Sequence, residues 1–166
     1  MKQKKKWFSH GLKDGVPIGL GYFAVAFTLG IAAKNIGMTA AQATAMSLTN
    51  LTSAGEFAAL GIISAGASYG EMALTQLIIN LRYCLMSCSL SQKIDPAAGI
   101  GHRLLTAFGV TDEIFGVSMG TKGRLSPFYS YGIMNAAVPG WPLGTLVGVK
   151  SGSVLPGRIL TARSLA

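Results

Sequence analysis

From Val16 to Ala33 the chain runs through apolar and small residues without a single charge, and four more long apolar stretches follow it, at about 43–67, 72–90, 104–119 and 129–149. A helix needs about 20 mainly apolar residues to cross the hydrocarbon core of a bilayer. Inside that core the backbone must satisfy its own polar groups. A chain of 166 residues that devotes most of its length to such stretches has room for short loops and for no sizeable soluble domain. The expectation is an all-α, polytopic integral membrane helical bundle of about five spans, with at least one broken helix. Residues 1–15 form a basic cytoplasmic tail, and residues 16–166 the transmembrane helical domain.

Charge supports this reading. Half of the residues are apolar and 12% are charged, which is poor in charge for a water-soluble domain. The net charge of +8 invites a nucleic-acid reading, but Lys2, Lys4, Lys5 and Lys6 are concentrated at the N-terminus beside Trp7 and Phe8. That is the composition of a juxtamembrane anchor at an anionic cytoplasmic surface, as in an inner-membrane protein. No basic stripe interleaved with aromatics recurs elsewhere. A cleaved signal peptide is the rival reading of the first stretch, but its removal would still leave a membrane protein. The positive-inside rule puts the N-terminus in the cytoplasm. If all five stretches cross, however, Lys93, Arg103, Lys150 and Arg158 fall outside against Lys122 and Arg124 inside, which is the wrong way round. Either a segment is re-entrant or broken, or the tail dominates.

Ionisable residues at membrane depth cost about 2.5–3.5 kcal/mol each on insertion scales, so they are paired, wet or functional. Glu56, Arg82, Asp112 and Glu113 need such an explanation. Thr49, Ser53 and Glu56 share a helix face, and Gly55 beside them is suited to a helix that unwinds near the midplane and offers its backbone to a ligand. Gln76, Asn80 and Cys84 form a second polar face. Arg82, on a different face, either clamps a carboxylate or neutralises Glu56 or Asp112. Asp112 and Glu113 point about 100° apart. A carboxyl partly withdrawn from water loads and releases protons near neutral pH, so either could carry a coupling proton. Gly140, Gly144, Gly148 and Gly152 recur every fourth residue and mark a helix face for close packing, near Pro139 and Pro142. Cys84 and Cys88 lie on one helix face as packing residues. His10 and His102 lack zinc spacing, and no phosphate loop or serine elbow occurs, so no enzyme activity, metal or cofactor is expected.

Several of these residues also carry a resemblance. Gly11-Leu-Lys-Asp-Gly-Val-Pro-Ile18, Ser53-Ala-Gly-Glu-Phe-Ala-Ala59, Asn80-Leu-Arg-Tyr83, Thr111-Asp-Glu113 and the glycine ladder ending in Gly152-Ser-Val-Leu-Pro156 resemble the AzlC-like branched-chain amino acid permeases. The resemblance implies a secondary transporter that exports branched-chain amino acids such as valine or their analogues, working with a small AzlD-like membrane partner. On this reading Asn80 and Arg82 recognise the substrate carboxylate, Ser53, Gly55 and Glu56 line the cavity, and Asp112 or Glu113 carries the proton. Position 56 is glutamate where many members have glutamine. Members continue past Leu155-Pro156 into further apolar helices, so this chain is expected to be an N-terminal portion. The competing expectation is a non-transporting membrane subunit that binds the AzlD-like partner through the Gly140 to Gly152 face.

Overall fold

The computed structural model describes residues 2–152, which form eight helices and no strand beyond one isolated bridge. They are α1 (Lys2–Asn35), α2 (Ala40–Thr49), α3 (Ser53–Ser64), α4 (Tyr69–Lys93), α5 (Ile100–Phe108), α6 (Asp112–Gly120), α7 (Pro127–Ala137) and α8 (Gly140–Gly152). The expected positions Ser153 to Pro156 and Arg158 lie outside the described residues. The basic tail is itself helical and continues into the first apolar stretch as α1 without a break at residue 15.

Helix ends follow local chemistry. Thr39 with Gln42 and Ser68 with Glu71 form capping boxes that start α2 and α4. Thr52 and Thr111 cap α3 and α6 with their hydroxyls. Gly37 and Gly66 adopt φ of +87° and +63° in the turns that lead into α2 and α4, a conformation that disfavours any residue with a Cβ.

The five apolar stretches are all helical, but only three of them run from one end of the bundle to the other. The first is α1. The third is α4. The fifth is α7 followed by α8, joined at Val138 and Pro139. In α1 and α7–α8 the residue numbers rise together along the contact: Gly11 meets Tyr129, Gly15 meets Ile133, Gly19 meets Ala136 and Gly140, and Gly148 meets Phe27. The two are therefore parallel. A Cβ at Gly140, Gly144 or Gly148 would stand 2.3, 2.4 or 2.1 Å from a carbonyl oxygen of α1, so only glycine admits this approach. The same holds in reverse for Gly11, Gly15, Gly19 and Gly30 of α1.

The second and fourth stretches double back. Ser47 near the end of α2 and Glu56 in the first turn of α3 hydrogen-bond side chain to side chain at 2.7 Å. In one continuous helix nine residues would separate them by about 13 Å. Here α2 enters beside the end of α1, Asn50 to Thr52 form an extended tip, and α3 returns to the start of α4. The α5–α6 hairpin repeats the plan at the opposite end. Arg103 of α5 donates to the Ser91 carbonyl at 2.6 Å, Asp112 pairs with Arg82 midway along α4, and Lys93 donates to the carbonyls of Met119 and Thr121. The unit of α1 with its hairpin and the unit of α4 with its hairpin thus form an inverted repeat, with both tips midway between the two ends of the bundle.

This arrangement removes the charge anomaly. Lys2, Lys4, Lys5, Lys6, Lys93, Arg103, Lys122 and Arg124 all lie towards the end where α1 begins, whereas Lys34 and Lys150 lie towards the other. The break expected around Ser53 to Glu56 falls at 50–52 instead, because Thr52 caps α3 and commits Ser53 onward to helix. Leu20, Leu74, Leu77, Leu81, Leu85 and Leu104 point outward and are more than half exposed, as a lipid-facing surface requires.

Candidate functional site

The tips of the two hairpins meet beside the kink between α7 and α8. Together they enclose a cavity of about 50 Å³. The first tip contributes Leu51 and Ser53, and the second Thr111, Asp112 and Glu113. Tyr22 and Val25 of α1, Tyr83 of α4, Val138 and Trp141 complete the wall. Such a volume holds ordered water, so a bound amino acid requires the tips to part. A second, more open cavity of about 180 Å³ lies between the same tips, lined by Asn50, Thr52, Asn80, Tyr83 and Phe108 among others.

Both hairpins present the start of a helix to this region. Free N–H groups and the helix dipole make such a terminus favourable to anions. The wall also carries an acid that is held in place. Tyr22 donates to Glu113 Oε2 at 2.7 Å and its hydroxyl also bonds the Thr111 hydroxyl, tying α1 to the second tip. The Tyr22 ring packs edge-on against Trp141, with centroids 5.9 Å apart. Val25, Leu51 and Val138 supply the apolar part of the wall.

Of the residues expected to bind substrate, Ser53 lines the first cavity and Asn80 the second. Gly55, Glu56 and Arg82 line neither of these two cavities. Gly55 is occupied by helix packing: its carbonyl accepts from Gln76 Nε2 at 2.8 Å, and a Cβ there would stand 2.7 Å from Gln76 Oε1. Asn80 donates to the same Gln76 at 3.1 Å, and its own Oδ1 is buried without a partner. Arg82 forms a 2.8 Å ion pair with Asp112 and lies over the Tyr83 ring. The ion-pair alternative for Arg82 therefore describes its geometry, and Asp112 is the acid it neutralises. Glu113 remains as the acid on the wall without a cationic partner among the described residues.

Glu56 is fully buried behind this wall. Its Oε1 accepts from Trp141 Nε1 at 2.7 Å, and its Oε2 lies 2.7 Å from the Ser47 hydroxyl oxygen. Ser47 in turn is 2.8 Å from the Thr145 hydroxyl, which is 3.2 Å from the Trp141 carbonyl. One carboxyl thus joins α2, α3 and α8, with the Trp141 indole between it and the cavity. Gly140, Gly144 and Gly148 on the glycine face of α8 pack against the α1 backbone, whereas Gly152 does not. Cys84 and Cys88 are exposed free thiols.

Sequence reasoning missed Tyr22, Tyr83, Trp141 and Thr145. Aromatic residues within apolar stretches read as ordinary lipid-compatible residues, although Trp141 and Thr145 stand four apart on one helix face.

A family model described as AzlC protein matches residues 17–155. The inner membrane protein YgaZ of Escherichia coli K12 is 31% identical over 152 residues, which cover 89% of this chain and 62% of that protein. An uncharacterized membrane protein of Archaeoglobus fulgidus is 30% identical over 152 residues, covering 92% of this chain and 66% of its own. The chain therefore spans less than two thirds of the length of these curated relatives. No solved structure matches it.

Proposed function

The chain belongs to the AzlC family of membrane proteins, and on that premise we propose that it is the membrane subunit of a secondary transporter that exports branched-chain amino acids. The observation that carries this reading is the meeting of two re-entrant tips, with their helix N-termini, at an apolar and acid-bearing cavity at mid-depth. Broken helices that present their N-termini to a central site are the membrane solution for binding a small anionic group away from water. A free amino acid offers three features for this wall to meet. Its carboxylate suits the start of α3 at Ser53, its ammonium suits Glu113, and a branched side chain suits Val25, Leu51 and Val138. Substrate and proton roles divide accordingly: Ser53 takes part in binding, Glu113 carries the ammonium or a coupling proton, and the Arg82–Asp112 pair keeps the second tip in place.

The concentration of basic residues where α1 begins supports a cytoplasmic N-terminus. A small AzlD-like membrane protein is the proposed partner. It would dock on lipid-facing surface and not on the glycine face of α8.

The test is valine efflux from cells that express the chain with and without an AzlD-like partner, with insertion verified by fractionation. Partner-dependent efflux that is lost in Glu113→Gln while Asp112→Asn paired with Arg82→Gln retains it supports the assignment. A correctly inserted chain that gives no efflux with the partner rejects transport by this chain.

A further inference from the structure

Glu56 is the one fully buried carboxyl among the described residues, and neither the His10–Asp14 nor the Arg82–Asp112 ion pair includes it. Its neighbours are hydroxyls and an indole. From α1 the groups packed into this region are Tyr22, Ala26 and Leu29, and from α4 Gln76 reaches its neighbour Gly55, so Tyr22 is the titratable side chain that faces the cluster.

Counting hydrogens decides between the two forms of this acid. A hydroxyl has one proton to donate, and an indole N–H can only donate. If Glu56 is neutral, its Oε2–H donates to Ser47, Ser47 donates to Thr145, and Thr145 donates to the Trp141 carbonyl. Trp141 Nε1–H donates to Oε1 and closes the ring. All four contacts of the cluster are then hydrogen bonds in which each donor has an acceptor. If Glu56 is ionised, Ser47 must turn to the carboxylate and Thr145 to Ser47, and the bond to the Trp141 carbonyl is lost. A full negative charge is then left in an apolar surround with two donors and no cation, which is the costly case for a buried charge.

We propose that Glu56 is a proton-binding site: in this conformation it is the neutral acid that closes a hydrogen-bond ring with Ser47, Thr145 and Trp141, and it exchanges that proton with cavity water when the Trp141 indole moves aside. This deepens the transport reading, on which it rests for its physiological role. On release the Oε2–H bond breaks, the proton passes to water in the cavity, and the ring reverses as Ser47 and Thr145 turn towards the carboxylate. Releasing the proton keeps the two bonds between the first hairpin and α8, Trp141 to Glu56 and Thr145 to Ser47, and breaks the one within α8 between Thr145 and the Trp141 carbonyl. Because the indole both donates to Glu56 and lines the cavity, displacement of Trp141 by an occupant opens the carboxyl to water.

Glu56→Gln makes a direct test, since its amide oxygen accepts from Trp141 and its NH₂ donates to Ser47, keeping the acceptor and the donor of the neutral acid with one added N–H. Infrared difference spectra of the reconstituted full chain at neutral pH should show the carbonyl stretch of a protonated carboxylic acid. The band should vanish in Glu56→Gln and shift in Ser47→Ala, while Glu56→Gln melts at the wild-type temperature. A band absent from the wild type, or one that persists in Glu56→Gln, overturns the proposal, as does a large loss of thermal stability in Glu56→Gln. These readouts do not depend on transport, so a chain that shows the band but exports nothing rejects the transport reading and leaves the proton site standing. If export occurs, its dependence on pH should flatten in Glu56→Gln.

Discussion

Replacing Gly148 by alanine places one methyl group 2.1 Å from the Phe27 carbonyl oxygen. Contacts of a Cβ with another heavy atom under 3.0 Å are essentially never seen, and here the obstacle is backbone that cannot rotate away. The helices must part by roughly 1 Å at this level, and a gap of that size forfeits a quarter to a half of the dispersion attraction across it. Overpacking of this kind costs about 1–3 kcal/mol. The neighbouring contacts of the ladder, Gly144 on Phe23 and Gly140 on Gly19, share the same two helices and would be strained with it. For a chain of this size the loss corresponds to a fall on the order of 5 °C in melting temperature. Gly152 supplies the internal control. It continues the same four-residue repeat, yet a Cβ there meets the Lys34 side chain at 3.4 Å and the Ile31 Cα at 3.7 Å, ordinary contacts. Thermal unfolding of purified protein in detergent, followed by tryptophan fluorescence, should show Gly148→Ala well below wild type, with Gly152→Ala and the open Gly21→Ala unchanged. Equal losses in Gly148→Ala and Gly152→Ala would refute the parallel packing of α1 on α8.

Two further outcomes follow from the hairpins. In a background with Cys84→Ser and Cys88→Ser, an impermeant thiol reagent should reach Asn35→Cys and Ala67→Cys from one side, and Ala97→Cys and Lys122→Cys from the other. Five full crossings would instead put Asn35→Cys with Ala97→Cys and Ala67→Cys with Lys122→Cys. For the ion pair, Arg82→Gln and Asp112→Asn alone should each reduce the yield of folded protein, and the double variant should recover it. The pair is nearly half exposed, so the coupling measured by a double-mutant cycle should be no more than about 1 kcal/mol.

The sequence made some of this plain and hid the rest for physical reasons. The α8 glycines were legible because a four-residue period and small side chains have one structural use in a membrane helix. The matching period at Gly11, Gly15 and Gly19 was equally available and went unread, since a ladder states that something approaches but not what. Insertion cost singled out Glu56, Arg82, Asp112 and Glu113 as ionisable residues in apolar stretches. Their partners depended on direction. Apolar length cannot distinguish one helix that crosses from two short helices that return, and α2 with α3 contains as many apolar residues as a single span. Only the Ser47–Glu56 bond and the anchoring of α5 and α6 at one end of α4 reveal the reversal. Once α2–α3 doubles back, Glu56 faces Trp141 and Arg82 faces Asp112, a pairing that a five-crossing reading leaves open.

The ring around Glu56 also sets a timetable for synthesis. Trp141 lies 85 positions after Glu56, and Thr145 lies 98 positions after Ser47. At about 5–20 residues per second, a ribosome needs roughly 4–17 s to make the interval between the acid and its indole. Throughout that time the first hairpin lacks the strand of polar contacts that satisfies its buried acid. It must wait near the membrane surface, or with Glu56 still in contact with water, until the last described helix arrives. Nascent chains stopped before residue 140 should therefore hold the first tip accessible to water-soluble probes, and extension through α8 should be the step that seals it.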